Sequence, residues 1–314
     1  MNNFKKVGLT ALAGALVSVS ANAAELTVTG GASIGFTGEE MVNTGNGWSM
    51  NDGLTFSATT ELDNGWSVTA TQIIDSSDGA AGAIMDTRTL AIDMGDSGVL
   101  TFAGTGGSSV LNAVDDTTPT AYEESWDVVS SASAIPGGTG GDNMFHYSNS
   151  SLMDGVKVSA SYTPSAGAGQ VEISADYGIE YTGIDGLTLG YAAGENNAAA
   201  ATLELSNMYA RYTMDAFTVG MTTSESDSET ASAGKEFTAM GISYAVSEEL
   251  SVSLNTSTID YEDSTLSDQD ATGISVSYVM GSMTIKAARN DVDNIAGTST
   301  ADRSAYDLSL AFAF

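Results

Sequence analysis

From Ala24 onward, apolar and polar residues alternate one for one in short runs, the period of a strand whose two faces meet different surroundings. In the first run Leu26, Val28, Ala32, Ile34 and Phe36 share one face, and Thr27, Thr29, Gly31 and Ser33 the other. In the second, Leu54, Phe56, Ala58 and Leu62 alternate with Thr55, Ser57, Thr59 and Glu61. The last run sets Tyr306, Leu308, Leu310, Phe312 and Phe314 on a single face. Along the whole chain the pattern predicts sixteen strands. The connections at Asp63, Gly95, Asp154, Asp185, Asp215, Ser247 and Gly281 are short, and polar loops of greater length separate them. Asp63-Asn64-Gly65 is the strongest hairpin signal, because Asn and Gly accept the positive φ that tight turns require. Short turns at one end and long loops at the other describe an all-β, up-and-down antiparallel barrel crossing a membrane. An even strand number puts both termini on the short-turn side.

Alternation alone does not say which face is wet. A soluble sandwich hides its apolar face, whereas a membrane barrel turns it to lipid and keeps a polar lumen. Three features favour the barrel. The polar face is dominated by Ser, Thr and Gly. Aromatic residues recur near strand ends, at Trp66, Tyr162, Tyr181, Phe217 and Phe314, as interfacial girdles do. Closure also removes the edges that an open sheet of sixteen strands would have to protect.

The alternation fails over one long stretch after the fifth strand, about 103–142. It carries Asp115, Asp116, Glu123, Glu124, Asp127 and Asp142, together with Pro119, Pro136 and the glycines Gly137, Gly138, Gly140 and Gly141. Loops this long in a compact domain are usually functional. This one is expected to fold into the lumen and narrow it.

The start of the chain reads differently. Lys5 and Lys6, the apolar run Val7 to Val19 and the small-residue site Ala21-Asn22-Ala23 follow one another in the order of a secretory signal peptide. Residues 1–23 are therefore expected to be cleaved, leaving 24–314 as one barrel domain. Nothing after Val19 approaches the roughly 18 consecutive apolar residues of a membrane helix. The absence of cysteine excludes disulfides, thiol catalysis and cysteine-ligated zinc. A single histidine, His146, leaves little for a catalytic triad or a multi-histidine metal site. The net charge of −31, more negative still without Lys5 and Lys6, excludes nucleic acid and makes cations the natural counter-species.

A ring of carboxylates in a wet constriction concentrates cations and repels anions. The constriction candidates are Asp115, Asp116, Glu123, Glu124 and Asp127. By face parity the lumen adds Glu61, Asp93, Glu172, Asp176, Glu180 and Asp307, with Lys157, Arg211, Lys286 and Arg303 as its basic residues. Arg88 shares parity with Leu90, Ile92 and Met94, which places it on the outer face or at a subunit interface unless a bulge shifts the register. No cofactor is expected. Asp115-Asp116 offers the hard oxygen ligands that calcium takes, but no EF-hand spacing surrounds it, and a solvated acidic turn is the plainer reading.

At this point the chain resembles the Gram-negative general porins, most closely the alphaproteobacterial, Rhodobacter-type trimeric group. The residues that carry the likeness are Ala21-Asn22-Ala23, the opening Glu25-Leu26-Thr27-Val28-Thr29-Gly30, and the closing segment Ala305 to Phe314. The long loop also falls where the constriction loop of such porins lies. The resemblance implies a homotrimer in the lipid of the bacterial outer membrane and passive diffusion of small hydrophilic solutes; the preference for cations is the expectation from the acidic residues. It also implies that Phe314 is the signal read by the outer-membrane assembly machinery. One departure stands out: the cluster of wall arginines usual in the family is not evident here.

Two readings from other classes compete. An outer-membrane barrel hydrolase would have to use His146. A secreted, acidic, β-rich adhesin or surface protein would share the composition, but it would have no reason to end on an alternating aromatic strand.

Overall fold

The computed structural model describes residues 25–40, 45–75, 85–115, 117–133, 140–164, 173–198, 201–230 and 232–314. The leader segment 1–23 lies outside the described residues, as do Asp116, Pro136, Gly137, Gly138 and Glu172. The strands are β1 (Glu25–Glu39), β2 (Trp48–Glu61), β3 (Ser67–Asp75), β4 (Met85–Asp93), β5 (Val99–Thr105), β6 (Gly107–Ser108), β7 (Gly140–Gly141), β8 (Met144–Met153) and β9 (Val156–Thr163). They continue with β10 (Ser174–Ile184), β11 (Leu187–Ala198), β12 (Ala201–Met214), β13 (Phe217–Ser228), β14 (Lys235–Ala245), β15 (Leu250–Tyr261), β16 (Gln269–Met280), β17 (Met283–Asp293) and β18 (Arg303–Ala313). All but β6 and β7 form one closed antiparallel barrel of sixteen strands, each beside its neighbours in the chain. β1 closes the ring on β18, with Gly31 opposite Ala313 and Phe36 opposite Leu308. The small β6–β7 ladder joins the two ends of the long loop.

The short turns fall where the sequence places them. Gly186 and Gly281 adopt φ of 74° and 62°, and Asp215 takes φ 51°, a conformation that Asp tolerates better than most side chains. A Cβ at Gly186 would run into the carbonyl oxygen of Thr213, so glycine is needed there for space as well as for φ.

The two faces of the wall separate cleanly. Leu26, Val28, Met208, Leu254, Ile274 and Tyr306 stand exposed on the outside, whereas Ser161, Asn207, Ser253, Asn255 and Ser275 are buried on the inside. Ladders of hydroxyls line the inner face, as at Thr59–Thr69, 2.9 Å apart across β2 and β3.

Three strands run further than their alternation suggests. β11 reaches Ala198, β12 starts at Ala201 and β13 reaches Ser228, over stretches whose polar composition reads as loop. At that end Glu195, Glu204 and Asp227 follow one another across the outer face in register. A strand that rises beyond the apolar belt has water on both sides and no need of an apolar face. Its alternation therefore disappears while its ladder persists.

Arg88 stays outside. The pairing of β4 with β5 does slip there, with Arg88 opposite Thr105 and Thr89 opposite Ala103, so Gly104 bulges. The pairing with β3 slips only beyond Thr87, between Ile73 and Ile74, and Arg88 faces Gln72 in the same register as Leu90 and Ala70. A Cβ on Gly104 would lie 3.0 Å from Arg88 Nε, so the glycine leaves room for the guanidinium.

Candidate functional site

After β6 the chain passes along the polar face of the wall and is tied to it strand by strand. The N–H groups of Val110 and Leu111 donate to Ser161 Oγ at 3.0 Å and to Asp176 Oδ2 at 3.3 Å, and their side chains pack on Ala192 and Leu205. Thr118 and Pro119 then lie over Gly220 and Gly241. A Cβ at Gly220 would stand 2.6 Å from Pro119 Cδ, and one at Gly241 2.6 Å from Thr118 Cγ2. Two glycines therefore make the trough through which this segment runs. Asn255 Nδ2 donates to the Pro119 carbonyl at 3.0 Å. Ala121 and Tyr122 donate their N–H groups to Ser253 Oγ and Ser275 Oγ, at 2.9 and 3.0 Å. Asn290 Nδ2 donates to the Glu124 carbonyl, and Ser133 and Gln269 exchange two hydrogen bonds, at 2.8 and 3.2 Å.

An apolar anchor reinforces these ties. Trp126, Val128 and Val129 are buried against Phe237, Ile259, Val292 and Ala305. The Trp126 and Phe237 rings meet edge to face, 5.1 Å apart at 83°. Phe237, Ile259 and Val292 sit on the inner face, out of phase with the outward Met240, Leu254 and Ile274. Water would not stabilise apolar side chains there, and Trp126, Val128 and Val129 pack against them.

The sequence-predicted residues take up distinct places. Tyr122 donates to Asp307 Oδ1 at 2.8 Å, and Asp307 Oδ2 also accepts from Thr37 at 2.7 Å. Lys286 Nζ stands 4.9 Å from the centre of the Tyr122 ring. Burial pushes the Tyr122 phenol upward, and its hydrogen bond to Asp307 adds to this, so it stays a donor. Burial also raises the Glu123 carboxyl above its ordinary range, assisted by the charges of Asp127 and Asp307 and opposed by the Tyr122 hydroxyl and Lys286. Carboxylate oxygens of Glu123, Glu124 and Asp127 lie within 4.8 Å of one another, the group of acids that converges among the described residues. Glu124 is only 4% exposed, Asp127 is exposed, and Asp127 Oδ2 accepts the Glu124 N–H at 3.0 Å. Asp115 is half-buried and lies outside this group.

The remaining lumen candidates are spread over the wall. Asp176 is buried beneath Leu111, and Glu180 accepts the Tyr209 hydroxyl at 2.6 Å. Glu61 and Asp93 are exposed at the short-turn ends of β2 and β4. Lys157 is exposed on β9, opposite Glu180. Arg303 is neutralised by Glu39, 3.2 Å away, and Glu39 also accepts the N–H of Ser130 at 3.3 Å. Arg211 and Glu124 line one open space of about 690 Å3 beneath the loop, with Thr118, Thr188 and Thr213 around them. Sequence reasoning missed Glu39, Tyr122 and Lys235. The parity of β1 puts Glu39 in line with Thr27 and Ser33, so its signal was present. Lys235, placed over the Tyr261 ring at 5.6 Å, shares parity with inward Phe237.

A closed sixteen-stranded antiparallel barrel, apolar outside and polar within, is a transmembrane β-barrel of the pore-forming kind. A family profile described as Gram-negative porin matches residues 8–314, and the chain belongs to that family. It is an outer-membrane diffusion channel and not an enzyme. Solved structures share the fold. A variant of the Rhodobacter blastica porin superposes with a TM-score of 0.69 at 15% identity, covering 92% of this chain and 100% of that one. A porin refined at 1.8 Å gives 0.67 at 16%, with the same coverage. A loop-deletion variant of OmpT, an outer membrane protein of Vibrio cholerae, gives 0.69 at 14%, covering 93% and 100%. Curated protein sequences yield no significant match.

Proposed function

We propose that the pore prefers cations and that segment 109–133 forms its constriction from within the lumen. The observation that carries this is the charge on the polar face. Glu123, Asp127 and Asp307 gather at the loop and outnumber Lys286, whose ammonium lies over the Tyr122 ring, while Arg303 is paired with Glu39. Support for the lumenal course of the loop comes from its ties to inward side chains on β9, β10 and β15 to β18, which face one another only across the barrel's interior. Permeation of size-matched solutes tests the selectivity. In liposomes carrying the protein, a small amine-bearing solute is expected to enter faster than a carboxylate of equal size. Equal or reversed rates would overturn the reading.

The same proposal includes a cleaved leader, residues 1–23, and a homotrimer. Support for the trimer lies on the outer wall of β1 to β5. Arg88, with Gln72 beside it, lines a depression of about 530 Å3 among Leu26, Phe56, Leu90 and Phe102. A lipid-facing Arg at the membrane midplane costs about 2–4 kcal/mol, and contact with a second copy removes that exposure. Native mass spectrometry of the membrane-extracted protein is expected to give three chains per particle, each beginning at Ala24. A monomer would overturn the assembly.

A further inference from the structure

Two adjoining depressions indent the outer wall over β10 to β13, about 370 and 580 Å3 in volume, and Tyr191 lines both. The first is apolar. Its floor is Ala210, which pairs with Leu189 on one side and Met221 on the other, while Ile179 and Met208 stand in the next row toward the long-loop end. The second lies further along the same strands. It is floored by Ala193 and Ser206 and rimmed by Glu195, Glu204, Glu225 and Asp227. Among the described residues no basic side chain lines either depression. From Ala210 to Glu204 the groove follows seven residues of β12, six steps of the strand or about 20 Å.

An acidic rim by itself is a solvated collar, and an apolar dent by itself is filled by any lipid chain. Here the dent opens into the rim, so whatever lays a chain in the first presents its headgroup to four carboxylates. An anionic headgroup meets like charge there. An ammonium finds charge-assisted acceptors. In lipid surroundings the dent contributes shape rather than hydrophobic force, so the selection falls on the headgroup.

We propose that this groove binds an amphiphile with one apolar chain and an ammonium-bearing headgroup. The site is separate from the channel, and its failure would leave the pore reading untouched.

Tetradecylamine, tetradecanol and tetradecyl phosphate, each added at equal concentration to the full protein in non-ionic detergent, are read as adducts by native mass spectrometry. The amine is expected to be retained about tenfold more than the alcohol, what one or two partly exposed ion pairs supply, and the phosphate less than the alcohol. Ala210→Trp fills the apolar end and should abolish amine retention. The double change Glu195→Gln with Glu204→Gln should bring the amine down to the level of the alcohol. Ile274→Trp, on the outer face of β16, should change nothing. Equal retention of amine and phosphate would overturn the proposal, as would an Ala210→Trp variant that still holds the amine. Phosphate retained above the amine once magnesium is added would also overturn it, in favour of a metal-bridged anionic headgroup.

Discussion

Removing Trp126 should loosen segment 120–130 from the wall without unfolding the barrel. Trp126 is 6% exposed, and its ring meets Phe237 edge to face at 5.1 Å. Truncating a buried Trp to Ala typically costs about 3–5 kcal/mol, in lost transfer energy and in the cavity left behind. The ties that remain around it include the hydrogen bonds of Ala121, Tyr122 and Ser125 to Ser253, Ser275, Asp307 and Ser257, those of Asn290 to the Glu124 carbonyl and of Ser130 to Glu39, and the packing of Val128 and Val129. The hydrogen bonds contribute about 0.5–1.5 kcal/mol each, and the ordering of the backbone opposes them at about 1–2 kcal/mol per residue, so a loss of about 3–5 kcal/mol is enough to tip the balance. The anchored and released states of 120–130 then become comparable in energy, whereas the strand ladder that holds the barrel is untouched. In single-channel recordings, Trp126→Ala should flicker between conductance levels where the parent is steady, and Phe237→Ala should do the same from the other side of the contact. Leu254→Ala, exposed on the outer wall, should be silent. Steady currents of parental size from both Trp126→Ala and Phe237→Ala would show that the loop does not depend on this contact, and would refute the reasoning.

Three further outcomes rest on the same contacts. Ser125 Oγ and Ser257 Oγ lie 2.9 Å apart, and the chain has no cysteine; Ser125→Cys with Ser257→Cys should therefore form one unambiguous disulfide on oxidation, seen as a gel-mobility shift reversed by reductant, with conductance preserved, and failure to cross-link in a folded barrel would count against the placement of the loop. Burial holds the Glu123 carboxyl above its ordinary value of 4.5, so the folded protein binds this proton more tightly than the unfolded chain does. The stability that this contributes is complete below the ordinary value and is lost as pH rises through the folded one. Glu123→Gln should accordingly raise the melting temperature at neutral pH and not at acid pH. In the parent, Glu123 should discharge as pH falls toward its raised value, weakening cation preference in that window; a variant whose selectivity falls over the same window as the parent's would assign the loss to other acids.

What could be read from the sequence divides along physical lines. The turns were legible because Gly186, Gly281 and Asp215 are residue types that a positive φ selects. The apolar belt was legible because lipid imposes a period of two. Beyond the belt that constraint lapses, and the polar upper ends of β11 to β13 therefore read as loop. The inner anchor left a signal that parity contained: Phe237 and Ile259 are apolar on the face where Ser253 and Ser275 are polar. Recognising it required knowing that something covers them. That knowledge sits in Trp126, more than a hundred positions away in the chain. The gathering of Glu123, Glu124 and Asp127 is likewise a product of the loop's local bends and not of any spacing rule. Arg88 shows the reverse case, where parity alone fixed the side despite a register shift in the pairing of β4 with each of its neighbours.

The reversal potential of the purified protein in a planar bilayer under a salt gradient bears most directly on the channel and its charge together. Stepwise conductance with a reversal potential of the sign set by the cation is the predicted result, reduced in size by Glu123→Gln. Steps that reverse at the anion's sign would contradict the acidic constriction, and a folded barrel that gives no steps would contradict the pore.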